Sequence, residues 1–204
     1  QIVKIIEDGF NPTPHGIGIK ITQEVHDGIS KIVLREIERD YHLTGLVFKS
    51  DHPRILDIGA HIGLVSIFMA KLYPQSTVEA YEPNPENYRC LVANIEANGL
   101  TNIIPHHAAV TSDGRDVLIQ TNAINSGGGS IYGFAGEKVK SVSVAEIFTA
   151  PVDLLKIDCE GAEYEIFDAL TDTQIRGIGP IRGEFHKGNS NLYVELVNRL
   201  HGLH

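Results

Sequence analysis

An acidic residue followed by a glycine-rich turn lies in the segment Arg54-Ile-Leu-Asp-Ile-Gly-Ala-His-Ile-Gly63. Glycine at positions 59 and 63 lets the backbone turn sharply and lets a ligand approach without a Cβ atom in the way. The dinucleotide-binding pattern Gly-x-Gly-x-x-Gly would place its next glycines where this chain has His61 and Leu64. The segment therefore has the form of a nucleotide-type cofactor turn but not that of a pyrophosphate-binding turn.

The charge of Asp57, two residues before the first glycine, indicates which ligand the turn would hold. A carboxylate at this place opposes a pyrophosphate and favours a cation. S-adenosylmethionine carries a sulfonium and an ammonium group and no phosphate, so the turn favours that cofactor. An ordinary strand-to-helix turn without a ligand is the alternative. The cofactor contacts predicted in this turn are Asp57, Gly59, Ala60, His61 and Gly63.

A second acidic residue, Glu82, ends the apolar segment 76–82 and lies 19 residues after Gly63. A carboxylate about 20 residues beyond a glycine turn is where a ribose diol is bound. Glu82 is therefore predicted to bind the ribose of the cofactor. The alternative is a solvated acid at the end of a strand.

Strands and helices alternate from Pro53 onward. Strands are predicted at 54–58, 77–82, 102–110, 152–158 and 178–186, and helices at 63–72, 85–98, 161–170 and 192–200. Short extended segments at 117–121 and 138–144 enclose a loop at 122–136. The alternation predicts a mostly parallel sheet with helices on both faces, and ligands beyond the carboxyl ends of its strands. Those ends carry Asp57, Glu82, His106, Asp158 and His186, which should cluster in space.

The first 50 residues differ in character from the rest. A strand is predicted at 16–22, a loop at 11–14, and a helix at 30–39 with Asp27 as its cap. We expect residues 1–50 to form a small N-terminal extension of strand and helix. It would pack on a cofactor-binding domain formed by residues 51–204.

Composition limits the classes of function. The formal net charge of −9 argues against general nucleic-acid binding, which requires a basic surface for phosphates. The longest apolar stretches, such as 64–70, fall far short of the roughly 18 residues that cross a bilayer. Cys90 and Cys159 both lie in predicted regular elements, so reduced thiols and a cytoplasmic location are expected. The oligomeric state stays open.

Four segments together resemble the FkbM family of S-adenosylmethionine-dependent methyltransferases: Leu56-Asp-Ile-Gly-Ala-His-Ile-Gly63, Tyr81-Glu-Pro83, Leu155-Lys-Ile-Asp-Cys-Glu-Gly-Ala-Glu163 and Glu184-Phe-His186. The resemblance covers about residues 50–187, and the third segment is its most specific part. It implies a Rossmann-like methyltransferase fold, methylation of a hydroxyl on a sugar or natural product, and Pro83 as a further cofactor contact. His61 departs from the family, which usually has Asn there. The family's last pair of strands is not visible before His204, so that pair is abbreviated or the sequence is a fragment.

The second acidic segment is predicted to form the reacting end of the site. Methyl transfer requires donor and acceptor to lie close and in line, and a hydroxyl acceptor also loses a proton. A carboxylate or a neutral imidazole can take that proton. The candidate catalytic residues are Asp158, which also faces the methyl group, with Glu160, Glu184 and His186. The alternatives are carboxylates that merely stabilise a helix start and a histidine with a satisfied hydrogen bond.

The same four side chains are also an oxygen-rich set that suits Mg²⁺, Mn²⁺ or Ca²⁺. The pairs come from separate strands, so spacing in the sequence cannot confirm such a site, and a metal is not the favoured expectation. At the other end of the site, successive strand residues point to opposite faces, so only one of the adjacent His106 and His107 can face the pocket. His107 and Ala108 are the predicted contacts near the adenine, and a core or surface role is the alternative.

The leading hypothesis is an O-methyltransferase that acts on a small-molecule hydroxyl acceptor, with no nucleic-acid or membrane partner. A non-catalytic methyltransferase-like binding module is the alternative from another class. A nicotinamide-dependent oxidoreductase is a further alternative, and both Asp57 and the broken glycine pattern count against it.

Overall fold

The computed structural model describes residues 10–12, 17–22, 37, 41–119, 136–186 and 190–203. Most of the predicted loop at 122–136 therefore lies outside the described residues. The strands are β1 Phe10–Pro12, β2 Gly18–Lys20, β3 Arg54–Ile58, β4 Thr77–Tyr81, β5 Ile103–His106, β6 Ala109–Thr111, β7 Val117–Ile119, β8 Glu137–Val139, β9 Ser141–Ser143, β10 Leu154–Ile157 and β11 Ile181–Gly183. The helices are α1 Leu64–Leu72, α2 Pro85–Ala97, α3 Val144–Ile147, α4 Glu163–Ala169, α5 Asp172–Arg176 and α6 Ser190–Leu203.

A five-stranded sheet in the order β11-β10-β3-β4-β5 forms the centre, and every neighbouring pair is parallel. Ile55 and Leu154 belong to an apolar core that includes residues of α1 and α2. Leu56 and Leu155, each one position further on, belong to a second core with residues of α3 to α6. Because successive strand residues point to opposite faces, the two cores cover both sides of the sheet. The predicted α/β fold, with a mostly parallel sheet and helices on both faces, is confirmed.

The register of the sheet aligns the ends of its strands. Each strand ends in the same row, formed across the sheet by Gly183, Ile157, Ile58, Tyr81 and His106. The next residue of each strand therefore begins at one common edge. These residues are Glu184, Asp158, Gly59, Glu82 and His107.

Two predicted strands are each divided in the structure. The segment predicted as a strand at 102–110 forms β5 in the central sheet and β6, which pairs with β9 in a separate two-stranded sheet. Pro105 lies in β5, at the edge of the central sheet, where its missing N–H is tolerated. The segment predicted at 138–144 divides into β8 and β9, and β8 pairs with β7.

Two short helices, α3 and α5, were not predicted although the sequence carries their signals. Ser143 and Glu146 form a capping box at the start of α3, and Thr171 and Gln174 form one at the start of α5. Each pair satisfies two backbone N–H groups reciprocally, so even a helix of four or five residues has a defined beginning. Among the described residues, no helix combines the length and the apolar character needed to cross a bilayer.

The described part of the N-terminal region contains a two-stranded antiparallel sheet, β1 with β2. The prediction of a loop at 11–14 is wrong at Asn11 and Pro12, which belong to β1 because they pair with Ile19 and Gly18. The predicted helix at 30–39 lies outside the described residues except for Ile37, which is helical and buried.

Side chains of α2 hold this region to the rest of the molecule. Asn94 Oδ1 accepts a hydrogen bond from the Thr22 amide at 2.9 Å, and Asn98 Oδ1 accepts one from the Lys20 amide at 2.9 Å. Ile19 is fully buried in the same core as α1 and α2. Residues before the first strand of the central sheet thus contribute to its packing.

A buried ion pair joins the two central strands. Lys156 of β10 lies opposite Asp57 of β3, and its Nζ is 3.2 Å from Asp57 Oδ1 and donates to the Gly59 carbonyl at 2.6 Å. Ser66 Oγ of α1 donates to the other carboxylate oxygen at 2.5 Å. Burial works to lower the pKa of Lys156, but the carboxylates of Asp57 and Asp158 raise it above its ordinary value. Lys156 is therefore charged, and it couples both strands to the glycine turn.

Replacing Gly59 with alanine is expected to reduce the free energy of unfolding by roughly 3–5 kcal/mol. Gly59 has φ +84°, and a Cβ atom on it would lie 1.8 Å from the Asp158 carbonyl oxygen. Gly99→Ala is the control, because Gly99 has φ +64° with no atom within 4 Å of such a Cβ and should lose only about 1–2 kcal/mol. Equal losses in urea unfolding would contradict the close approach of Gly59 to Asp158.

Replacing Lys156 with methionine is expected to destabilise the fold by about 3–5 kcal/mol, since it leaves the buried Asp57 carboxylate without its counter-charge. Adding Asp57→Asn should restore part of that loss. The matched control is Lys138→Met, which breaks an exposed pair with Asp116 and should cost less than about 1 kcal/mol. Urea unfolding measures all three variants, and a Lys156→Met loss no larger than that of Lys138→Met would refute the importance of the buried pair.

Candidate active site

The glycine turn is held against the neighbouring strand by its own backbone. The amides of Gly59 and Ala60 both donate to the Tyr81 carbonyl at 3.0 Å. His61 has φ +53°, in the left-handed region that Asn and His adopt more readily than most residues. The family that the sequence resembles usually has Asn at this position. Histidine can replace it because both residues adopt the left-handed conformation.

The carboxylate of Glu82 is buried and fixed by amide donors. Its Oε2 accepts from the His61 amide at 2.8 Å, and its Oε1 accepts from the Asn84 amide at 2.8 Å and from Asn87 Nδ2 at 3.4 Å. Burial raises the pKa of Glu82 to about 7, although these amide donors act in the opposite direction. Glu82 is therefore a rigid acceptor beside the turn, and its ionisation is sensitive to pH near neutrality.

The two adjacent histidines lie against different partners, as the alternation of a strand predicts. The His106 ring stacks on Tyr81 with 4.4 Å between centroids, and burial lowers the pKa of His106. The exposed His107 stacks on Tyr88 at 4.6 Å, and its Nε2 donates to the Pro83 carbonyl at 3.1 Å. His107 is thus the histidine beside the segment that holds Glu82.

Several residues predicted to contact the cofactor have partners within the protein that the sequence does not reveal. Asp57 is fully buried, and its charge is met inside the protein by Lys156. The argument that an uncompensated carboxylate draws a cationic cofactor to the turn therefore does not follow from Asp57. Ala108 is buried and Pro83 offers its carbonyl to His107. Contacts of these residues with a cofactor remain predictions.

The structure brings the other three predicted catalytic side chains close to the imidazole of His186. The distances from a ring nitrogen of His186 are 3.8 Å to Asp158 Oδ1, 4.0 Å to Glu160 Oε2 and 3.5 Å to Glu184 Oε2. Asp158 and Glu184 each directly follow a strand of the central sheet, so the common strand edge positions two of these carboxylates. Asp158 and His186, which were predicted to cluster although they are far apart in the sequence, do lie close together.

Glu163 is a fifth member of this group that sequence reasoning left as a helix-start acid. It is fully buried, and its Oε1 accepts from the Cys159 amide at 3.0 Å and lies 3.2 Å from His186 Nδ1. Burial alone would lower the pKa of His186, but the hydrogen bond to Glu163 and the nearby carboxylates of Glu160 and Asp158 raise it. The sequence does contain a signal for Glu163, because it ends the most specific of the recognised segments.

The backbone before α4 is unusual for its residue types. Glu160 has φ +59° and Gly161 has φ +118°. A non-glycine residue in this region is strained, and such strain is retained where the surrounding structure holds it. Here the conformation turns the chain between β10 and α4 and leaves the Glu160 carboxylate facing His186 Nε2.

Tyr41 reaches the site from the N-terminal region. It is 3% exposed, its hydroxyl donates to Asp158 Oδ2 at 2.8 Å, and its ring centroid lies 5.8 Å from Lys156 Nζ. Burial and the neighbouring Asp158 raise the pKa of Tyr41 far above its ordinary range, so the hydroxyl stays protonated and remains a donor. No sequence pattern indicated this residue, because it is 117 positions from its partner.

Two proteins of similar sequence are both named methyltransferases. The chain is 25% identical over 151 residues to "Methyltransferase 1" of Beauveria bassiana, a match that covers 60% of each chain. It is 26% identical over 186 residues to "Methyltransferase sdnD" of Sordaria araneosa, covering 71% of each. The chain thus spans about 60% of the length of the first of these relatives.

A solved structure shows the same fold. The crystal structure of methyltransferase FkbM from Methylobacillus flagellatus superposes with a TM-score of 0.58 and 19% identity, covering 80% of this chain and 40% of that one. Residues 57–201, well over half of the sequence, match the Methyltransferase FkbM domain. This range contains the glycine turn, Glu82 and the carboxylates around His186. The chain belongs to the FkbM family of methyltransferases.

Proposed function

We propose that this protein is an S-adenosylmethionine-dependent methyltransferase that methylates a hydroxyl group of a small molecule, such as a sugar or a natural product. One observation carries the proposal. A fixed carboxylate acceptor, Glu82, and a carboxylate–imidazole group around His186 follow strands that end in the same row of one sheet. The glycine turn lies between them, after the central strand β3.

The proposed ribose contact is supported by the hydrogen bonds already made to Glu82. An ionised carboxylate offers about four lone-pair sites, and the amides of His61 and Asn84 with the side chain of Asn87 occupy three of them. These bonds orient the carboxylate before a ligand arrives and leave room for a hydroxyl donor. Gly63, at φ +91°, lets the turn pack against α2, because a Cβ atom there would lie 2.5 Å from Leu91 Cδ1.

The proposed reaction is a displacement at carbon. The bond from the methyl carbon to the sulfonium sulfur breaks, a bond from that carbon to the acceptor oxygen forms, and S-adenosylhomocysteine leaves as a thioether. The acceptor hydroxyl loses its proton to a carboxylate or an imidazole at this end of the site. Asp158, Glu160, Glu184 and His186 are the proposed acceptors of that proton or of its hydrogen bond.

Binding of S-adenosylhomocysteine is expected to strengthen as the pH rises through about 7, the pKa of Glu82. The ribose hydroxyls donate, so they favour the ionised carboxylate, and binding below this pKa should release a proton. Calorimetry from about pH 6 to about pH 8, in buffers of different ionisation enthalpy, measures both the affinity and the released proton.

The Glu82→Gln variant should bind roughly 10- to 100-fold more weakly and lose this pH dependence, because the charged acceptor is gone. Glu96→Gln, an exposed change on the same helix-forming segment as Asn87, serves as the matched control. A folded wild-type protein that binds no S-adenosylhomocysteine would sink the proposed function. Binding that is equally tight in Glu82→Gln would remove Glu82 from the cofactor site.

Methyl transfer is expected to depend on the carboxylate that follows β10. A screen of hydroxyl-bearing sugars and natural products with labelled S-adenosylmethionine should reveal an acceptor. On that acceptor, Asp158→Asn should reduce kcat by roughly 10²- to 10⁴-fold while affinity for S-adenosylhomocysteine changes little. Asp153→Asn, before the same strand, is the comparison. Cofactor binding with no transfer to any acceptor of the screen would favour a non-catalytic binding module instead.

A further inference from the structure

We propose that Asp158, Glu184 and His186 form a binding site for one divalent metal ion. Each offers a ligand atom, and these three atoms lie within 4.8 Å of one another. Two ligand atoms on one ion, at bond lengths of about 2.1–2.4 Å, lie at most about 4.8 Å apart. The spacing of the three side chains is therefore compatible with a single ion between them.

The orientation of His186 fits a metal ligand. The Glu163 carboxylate accepts hydrogen bonds, so it places the ring proton on Nδ1, 3.2 Å away. The other nitrogen, Nε2, then carries its lone pair toward Glu184 Oε2, at 3.5 Å. Metal-binding histidines commonly donate their second ring N–H to a carboxylate in this manner. Glu163 would hold the imidazole, and Nε2 would face the ion.

The carboxylates of the site receive little direct pairing from cationic side chains of the described residues, although the charge of Lys156 acts on Asp158. In the part of the chain that the structure describes, no lysine or arginine lies within 4.0 Å of the carboxylates of Asp158, Glu163 or Glu184. A single imidazolium at His186 would offset only one of these three charges. The second oxygen of Glu163, which is fully buried, also has no hydrogen-bond partner among the described residues. A divalent cation would supply positive charge to offset these carboxylates.

The donor set indicates the kind of ion. Two carboxylate oxygens and one imidazole nitrogen suit Mn²⁺ and related first-row ions, whereas carboxylates alone would suit Ca²⁺ or Mg²⁺. Glu184 is 47% exposed at its side chain, so further coordination positions are open to solvent or to a ligand. If the proposed function holds, an acceptor hydroxyl bound there would have a lowered pKa and lose its proton more readily.

The proposal is tested with Mn²⁺ alone, in the absence of cofactor and acceptor. Electron paramagnetic resonance of the full chain should show one Mn²⁺ bound per chain. Electron spin echo modulation from a directly bound imidazole nitrogen should appear in the wild-type protein. This measurement requires no substitution and so does not depend on the folding of a variant. Saturable binding with that nitrogen signal supports the site. Absence of saturable binding, or binding without the nitrogen signal, would overturn it.

Variants then locate the ion. His186→Gln and Glu184→Gln are each expected to weaken Mn²⁺ binding at least about tenfold, whereas Glu195→Gln, an exposed acid on α6, should leave it unchanged. Equal binding in all three variants would place the ion elsewhere. The outcome is separable from the proposed function, because S-adenosylhomocysteine binding through Glu82 is measured in metal-free protein.

Discussion

The ion pair between Lys156 and Asp57 is the interaction on which the arrangement of the site depends. Both side chains are buried, and a buried charge that loses its partner is strongly destabilising. The pair therefore admits only the register in which β10 and β3 place these residues opposite each other. Because Lys156 also donates to the Gly59 carbonyl, the same charge holds the glycine turn to the sheet. A slip of either strand by one residue would turn its charge to the opposite face of the sheet and separate the pair.

From this register the positions of the two ends of the site follow. Asp158 comes directly after Ile157, and Gly59 directly after Ile58, so the turn and the acceptor-side carboxylate leave the sheet together. Their backbones approach so closely that a Cβ atom on Gly59 would overlap the Asp158 carbonyl. On the other side of the turn, Glu82 is held by the His61 amide. The turn thus contacts the Glu82 carboxylate and packs against the backbone of Asp158, so a change in its backbone would move both residues.

The parts of the molecule that could be predicted from sequence are those specified locally. The strand before Gly59, the helix after Gly63 and the acidic strand ends follow from apolar patterns and glycine spacing, and the parallel pairing of the strands follows from their alternation with helices. The break between β5 and β6 was not predictable, because it depends on β9, which β6 joins far along the chain. The partners of Lys156 and Tyr41 are equally distant, at 97 positions for the Gly59 carbonyl and 117 for Asp158. Local patterns contain no information about such pairs. For the same reason, the sequence did not show that Lys156 neutralises the charge of Asp57.

Tyr41 shows that the proposed acceptor end is not formed by the matched family region alone. That region begins at residue 57, yet Asp158 receives its hydrogen bond from a tyrosine before it. Since Tyr41 occupies Oδ2, only Oδ1 of Asp158 is turned toward His186. The proposed cofactor side, by contrast, consists of the turn, Glu82 and α2, all inside the matched region. A substitution before residue 57 could therefore alter the contacts of Asp158 and leave the hydrogen bonds that fix Glu82 unchanged. The two ends of the site can thus vary independently among relatives.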